Sequence, residues 1–176
     1  MTFPYSILLG LTAALAAGGS ALADDADFAS PAQATDYLAA TLPRATAENP
    51  KYRTVADGTV SQWLTQEIRF SGTDAVTVEM LESYTQAKDG KTTPGAHKAA
   101  FSLADVEVSE FTEPGDVTPD GAPARGVLFS CQRPGCIAAA WGDQAAPADK
   151  TDISLQEDGV RAKVLAAFRY LKTRGE

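Results

Sequence analysis

The fold class is decided by the stretch QEIRFSGTDAVTVEM, residues 66–80. Polar and apolar residues alternate on both sides of Gly72-Thr73-Asp74, a combination that is typical of a turn. A period of two places every second side chain on one face of an extended strand. The stretch therefore predicts two antiparallel strands with one buried face. The apolar positions that share this face are Ile68, Phe70, Val76, Val78 and Met80.

Strand signals extend from Tyr52 to about Gly142. Alternating residues around Phe101 and Val106 predict a strand with a break near Ala104-Asp105, and residues 113–124, rich in Pro, Gly and Asp, predict a loop. Residues 126–131 and 136–141 are expected to be the last two strands, and residues 142–149 a connection. Turns are predicted at Asp57-Gly58, Asp89-Gly90 and Pro94-Gly95.

Two helices are predicted to flank this sheet. Ser30 is a good N-cap, Pro31 suits the first helical position and Gln33 completes a capping box. Pro43 is expected to end this helix. A second capping box, formed by Ser154 and Glu157, predicts the start of a C-terminal helix, and Asp158 is a competing cap. One face of that helix is apolar, formed by Val160, Val164, Ala167, Phe168 and Leu171.

The predicted fold class is α+β. It is an antiparallel β-meander of five to six strands, flanked by an N-terminal helix and a C-terminal helix packed on the sheet, and a half-barrel is one form it can take. A meander closed by a C-terminal helix resembles a pleckstrin-homology-like half-barrel in outline. That resemblance is architectural, rests on no motif and implies no lipid binding.

The first 23 residues are typical of a secretory signal peptide. Residues 7–17 are apolar, Ala21-Leu22-Ala23 is a small-x-small cleavage signal, and the chain turns acidic at Asp24-Asp25. A membrane anchor is the alternative, which the shortness of the apolar run disfavours. The sequence predicts cleavage between Ala23 and Asp24, a mobile acidic lead at residues 24–29 and a single domain at residues 30–176. The expected location is periplasmic or secreted.

The formal net charge of −8 lies entirely outside the predicted signal peptide. An acidic surface repels nucleic acid and anionic lipid, so we expect neither a nucleic-acid partner nor a stable membrane anchor after cleavage. The abundance of Ala and the scarcity of Asn suggest a GC-rich bacterial source.

The two cysteines, Cys131 and Cys136, are predicted to form one disulfide. Pro134 and Gly135 suit the centre of a type II turn, which would bring them together at the neck of the last hairpin. A redox-active pair and metal binding are the alternatives. Strand-like flanks and the absence of C-x-x-C spacing favour a structural role, because active dithiols usually sit at a helix N-terminus.

No catalytic constellation, metal site or cofactor is predicted. The single histidine, His97, is expected at the surface. Asp116 and Asp120-Gly121 superficially resemble a calcium loop but lack its ligand register. Glu79 and Glu82 fall on opposite faces of a strand, whereas Asp105 and Glu107 share a face. The basic residues of the C-terminal helix complement its dipole, and the aromatic residues are expected in the core or half-buried on the sheet: Trp63, Phe70, Phe101, Phe111, Phe129, Trp141 and Phe168.

The sequence therefore favours a small exported, non-enzymatic binding or interaction module with an unknown protein or small-molecule partner. It would bind through a sheet face or through the 113–124 loop. The alternative is a thiol-redox or carboxylate-based enzyme or accessory of the cell envelope, using Cys131 and Cys136, or Asp105 and Glu107. No binding residue is assigned.

Overall fold

The computed structural model describes residues 28–54, 58–72, 75–118 and 120–174. The predicted signal peptide with its cleavage site after Ala23, residues 24–27 of the lead, Asp57, and Thr73-Asp74 of the turn lie outside these ranges. They stay predictions, as does the domain division.

The described residues form two helices and nine strands, in the order α1 (Pro31–Glu48), β1 (Lys51–Thr54), β2 (Val60–Ser71), β3 (Thr77–Lys88), β4 (Lys91–Ser102), one turn of 3₁₀ helix (Leu103–Asp105), β5 (Val106–Val117), β6 (Pro123–Cys131), β7 (Ile137–Trp141), β8 (Gln144–Ala148), β9 (Lys150–Ser154) and α2 (Asp158–Arg174). All strands join one antiparallel sheet in the order β8-β7-β4-β3-β2-β1-β5-β6-β9. The α+β class with two flanking helices is confirmed, and the sheet is not closed into a barrel.

Nine strands are found in this part of the chain where five to six were expected, because pairing overrides weak strand propensity. Residues 144–148 (QAAPA) were predicted as a connection but pair with β7. The 113–124 loop is shorter than predicted, since β5 runs to Val117 and β6 begins at Pro123. The predicted turn at Asp89-Gly90 is confirmed, and its φ values of 50° and 74° suit a type I′ hairpin turn. The turn predicted at Pro94-Gly95 is wrong, because both residues lie inside β4 and pair with β3.

Helix α1 starts as predicted but does not end at Pro43. The Ser30 side chain accepts a hydrogen bond from the Gln33 N–H, and the Ala29 N–H donates to the Gln33 side chain. The helix continues to Glu48. Thr46 explains this continuation, because it is buried against β2, where the Thr65 N–H donates to its hydroxyl at 3.1 Å. Tertiary packing outweighs the helix bond that Pro43 removes.

Helix α2 begins at Asp158, later than the Ser154 cap that was predicted, because Ser154 is the last residue of β9. The predicted apolar face is buried on the sheet. Its centre is Phe168, whose ring lies 4.8 Å from that of Phe129, which in turn lies 4.9 Å from Phe101. Phe28, in the predicted lead, is also buried, against Tyr37 and Tyr170.

The two edges of the sheet meet at one corner. Edge strands β8 and β9 are consecutive in the chain and are separated by Asp149 alone. The Asp149 carbonyl accepts from the Cys131 N–H at 2.8 Å, and its carboxylate accepts from the Gly135 N–H at 2.7 Å. The sheet must therefore curl until its margins converge at this point.

The disulfide between Cys131 and Cys136 is confirmed and lies at this corner. It closes the tight reversal between β6 and β7, where Gly135 has a φ of 73°. The two strands then diverge: β6 pairs with β5 and β9, and β7 pairs with β4 and β8. The disulfide thus fastens the strands that lie second from each edge.

Candidate binding pocket

The curled sheet encloses a pocket of about 440 Å³. Its wall contains at least one residue from each of the nine strands, and Thr46 of α1 adds to it. The curl is what brings strands from opposite margins of the sheet to a common space.

The pocket is the polar end of the face that also forms the core. On β3 the buried residues alternate, and Val78 and Met80 belong to the core while Glu82, the next in the row, lines the pocket. On β4, Phe101 is in the core and His97 lines the pocket. The same face of the sheet therefore provides core residues at one end and pocket residues at the other.

Four rings form an aromatic cluster at the pocket: Trp63, Tyr84, His97 and Trp141. Trp63 and Tyr84 are cross-strand partners with ring centroids 4.7 Å apart, and His97 and Trp141 are partners stacked at 4.1 Å. The two tryptophan rings meet edge to face at 5.2 Å and 86°. Trp141 is 45% exposed. We call this group the aromatic cluster.

Gly95 makes room for the aromatic cluster. It is the partner of Tyr84 on β4, and a Cβ at this position would lie 2.2 Å from the Tyr84 ring. Any larger residue would displace the ring, so the close approach explains why glycine stands in the middle of a strand.

His97 and Glu82 form a buried pair, which corrects the prediction that His97 is a surface residue. Both face the pocket and are only 6% and 9% exposed. His97 Nδ1 and Glu82 Oε2 are 2.8 Å apart. Burial raises the pKa of Glu82, while the hydrogen bond with His97 opposes the rise. Because Nδ1 is engaged with Glu82, Nε2 is the nitrogen left for another partner.

Lys51 links strands from two parts of the sheet. Its Nζ lies 3.0 Å from Asp116 Oδ2 on β5 and 2.9 Å from Asp152 Oδ2 on β9. Burial opposes the charge of Lys51, but Asp152 and Asp116 together outweigh it and raise its pKa. Arg53 Nε lies 3.2 Å from the other oxygen of Asp116.

The structure separates the residues that superficially resembled a calcium loop. Asp116 is buried on Lys51 and Arg53, whereas Asp120 bonds Thr118 and the Ala122 N–H in the loop between β5 and β6. In the described ranges, no group of three or more His, Cys, Asp or Glu side chains is arranged to hold a metal ion.

Phe111 and Ser154 also line the pocket, whereas the other charged residues singled out from the sequence lie away from its wall. Asp105 pairs with Arg133 at 2.6 Å, and Glu107 is exposed. Glu79 is exposed on the face opposite Glu82, as predicted. Bases of the C-terminal helix are anchors: Lys172 Nζ donates to the Val106 carbonyl at 2.7 Å.

Sequence reasoning missed the site residues Trp63, Glu82, His97 and Trp141. A signal existed, since Glu82 and His97 fall opposite each other if Asp89-Gly90 is the hairpin turn. Trp141 joins them only because β7 pairs with β4, a long-range pairing that no local pattern predicts.

No helix in the described part of the chain is long and apolar enough to cross a membrane. In comparisons with known proteins, no family model, no curated protein and no solved structure matches the chain significantly.

Proposed function

We propose that this protein is an exported, non-enzymatic binding module and that the pocket at the curled sheet is its ligand site. The observation that carries the proposal is an aromatic-lined cavity of about 440 Å³ with a buried Glu82–His97 pair in its wall. Pockets for small organic ligands have volumes of about 300–1,000 Å³ and combine apolar walls with a few placed polar groups. The ligand is therefore a small molecule rather than an extended polymer.

Export is supported by the disulfide and by the predicted signal peptide. Disulfides persist in oxidising compartments such as the periplasm or the exterior of the cell. The net charge of −8 argues against a nucleic-acid partner. The proposal is a periplasmic or secreted protein without a stable membrane anchor after cleavage.

A carboxylate-based enzyme is the second candidate, and one observation favours it. A histidine whose Nδ1 bonds a buried carboxylate has the arrangement of a general base held by an orienting group. The residues concerned are Glu82 and His97, not Asp105 and Glu107. The pocket adds no support for thiol chemistry, because neither Cys131 nor Cys136 is among the residues that line it.

The test is native mass spectrometry of the protein purified without reductant from its own cell envelope. We expect a mass that starts at Asp24, lacks two hydrogens and carries a small organic molecule. Both tryptophans of the chain lie in the pocket wall, so adding a small-molecule extract of the envelope should change the intrinsic fluorescence. Trp141→Ala should release the bound molecule.

Three results would count against the proposal. A mass that begins at Met1 would contradict export. A protein that carries no molecule and shows no fluorescence change with the extract would contradict the binding function. Conversion of the bound molecule that is lost in His97→Gln would favour the enzyme.

A further inference from the structure

We infer that the pocket takes an organic cation, a molecule with an amine or quaternary ammonium group on an apolar body. This inference rests on the proposed function, because it names the ligand class of the same pocket. It follows from the charges and the rings that face the cavity.

The first argument is the charge balance of the pocket. Among the described residues, its wall contains four acidic side chains, Glu82, Glu113, Asp116 and Asp152, and three basic ones, Lys51, Arg53 and Lys150. Apart from His97, the formal charges of the wall sum to one negative charge. A cation neutralises this excess, whereas an anion would add to it.

The second argument is the position of that excess charge. Lys51 and Arg53 are already committed to Asp116 and Asp152 at 2.9–3.2 Å. Glu82 instead has a histidine, His97, as its hydrogen-bond partner at 2.8 Å. Burial disfavours the charged form of a carboxylate, and it raises the pKa of Glu82 although His97 and the charge of Lys51 oppose the rise. A ligand ammonium beside Glu82 would supply a further counter-charge.

The third argument is the aromatic cluster. The face of an aromatic ring carries partial negative charge and attracts cations, most strongly for tryptophan. Trp63 and Trp141 both line the pocket and meet at 86°, so the two rings differ in orientation within its wall. Trp141 is reachable from solvent, while the buried His97 and the half-buried Trp63 and Tyr84 pack against it. Such an arrangement suits an ammonium group better than a carboxylate.

The test uses three probes of nearly the same shape and different charge: choline, 3,3-dimethylbutan-1-ol and 3,3-dimethylbutanoate. Binding to the mature, oxidised protein is followed by tryptophan fluorescence and by titration calorimetry at neutral pH. We expect choline to bind at least tenfold more tightly than the neutral alcohol, and the carboxylate to bind most weakly. Shape and apolar area are nearly constant across the series, so the differences report charge.

Two variants on the same strand locate the effect. Glu82→Gln keeps the size of the side chain and removes its charge, so the preference for choline over the alcohol should fall below threefold. Glu79→Gln makes the same change on the opposite, exposed face and should leave the preference unchanged. Should Glu82→Gln fail to fold, as judged by circular dichroism, Trp141→Ala is the second variant, expected to weaken choline binding at least tenfold.

The outcomes separate this inference from the proposed function. Equal or tighter binding of the alcohol overturns the cation inference and leaves the pocket function standing. If none of the three probes binds but the envelope extract changes the fluorescence, the cation inference is likewise overturned and the pocket function stands. If neither the probes nor the extract binds, both the cation inference and the proposed binding function are overturned. A choline preference that survives in folded Glu82→Gln overturns the role of Glu82 as counter-charge.

Discussion

Replacing Lys51 with methionine should open the curl of the sheet. Strands β1 and β9 are three positions apart in the sheet, which in a flat sheet is about 14 Å. Lys51 of β1 nevertheless reaches Asp152 of β9 at 2.9 Å, and Asp116 of β5 at 3.0 Å. Methionine keeps most of the length of the side chain but leaves both carboxylates without this cation.

The expected loss in the free energy of unfolding is about 3 kcal/mol. Breaking a buried ion pair by removing one partner costs about 3–5 kcal/mol, because the other charge stays buried. The side chain of Asp116 is only 4% exposed, but Arg53 remains beside it, and Asp152 is 29% exposed. Because Arg53 and solvent partly compensate the two carboxylates, we expect a loss in the free energy of unfolding at the lower end of that range.

The assay is equilibrium unfolding in urea, followed by circular dichroism and tryptophan fluorescence. The matched control is Arg69→Met, which breaks an exposed pair with Glu67 and should cost less than about 0.5 kcal/mol. In Lys51→Met, hydrogen exchange should quicken along β9.

The pH dependence gives a second check on Lys51. Its folded pKa is raised above the ordinary 10.5, so its contribution is fully present below pH 10.5 and is lost as the pH rises through the folded pKa. The difference between wild type and Lys51→Met should shrink over that range. A loss no larger than that of Arg69→Met, or a difference that persists unchanged above that range, would refute the reasoning.

Three further predictions concern the disulfide, two glycines and the buried carboxylate. Replacing both Cys131 and Cys136 with serine should lower the free energy of unfolding in urea by about 2 kcal/mol, since the closed loop is short. Ligand binding should stay intact. Loss of binding in the folded variant would show that the corner shapes the pocket. Gly126→Ala should be strongly destabilising, because its Cβ would lie 1.9 Å from the Ile153 carbonyl oxygen. Gly159→Ala has open space in α2 and should raise the free energy of unfolding by about 0.5–1 kcal/mol. Thermal melts in which Gly126→Ala is the more stable variant would contradict this packing. Burial raises the pKa of Glu82, so its contribution to stability is present at low pH and declines as the pH rises from 4.5 through the folded pKa. Glu82→Gln should lack this pH-dependent contribution. If wild type and Glu82→Gln had identical urea midpoints across that pH range, the assignment would be wrong.

Local patterns predicted the parts of the fold that depend on neighbouring residues. The alternation of residues 66–80, the Ser30 cap and the reversal between Cys131 and Cys136 all reappear in the structure, apart from the undescribed Thr73-Asp74. Each depends on residues only a few positions apart, where propensity and spacing act directly.

The missed features depend on distant partners. Residues 144–148 contain three alanines and a proline, which disfavour strand structure, yet they pair with β7. Helix α1 passes Pro43 because Thr46 finds Thr65 on β2. His97 looked like a surface residue because polarity was the only local signal, and its burial depends on Glu82 and Trp141 from other strands.

The corner at Asp149 also bears on how these molecules behave toward one another. A free sheet edge offers unpaired N–H and C=O groups to another chain, and two such edges make runaway aggregation a hazard. Here both edges converge on one corner, Pro147 removes a backbone donor from β8, and β9 carries the charged Lys150 and Asp152. We therefore expect that the protein does not polymerise edge to edge in concentrated solution, although the sheet is not closed into a barrel.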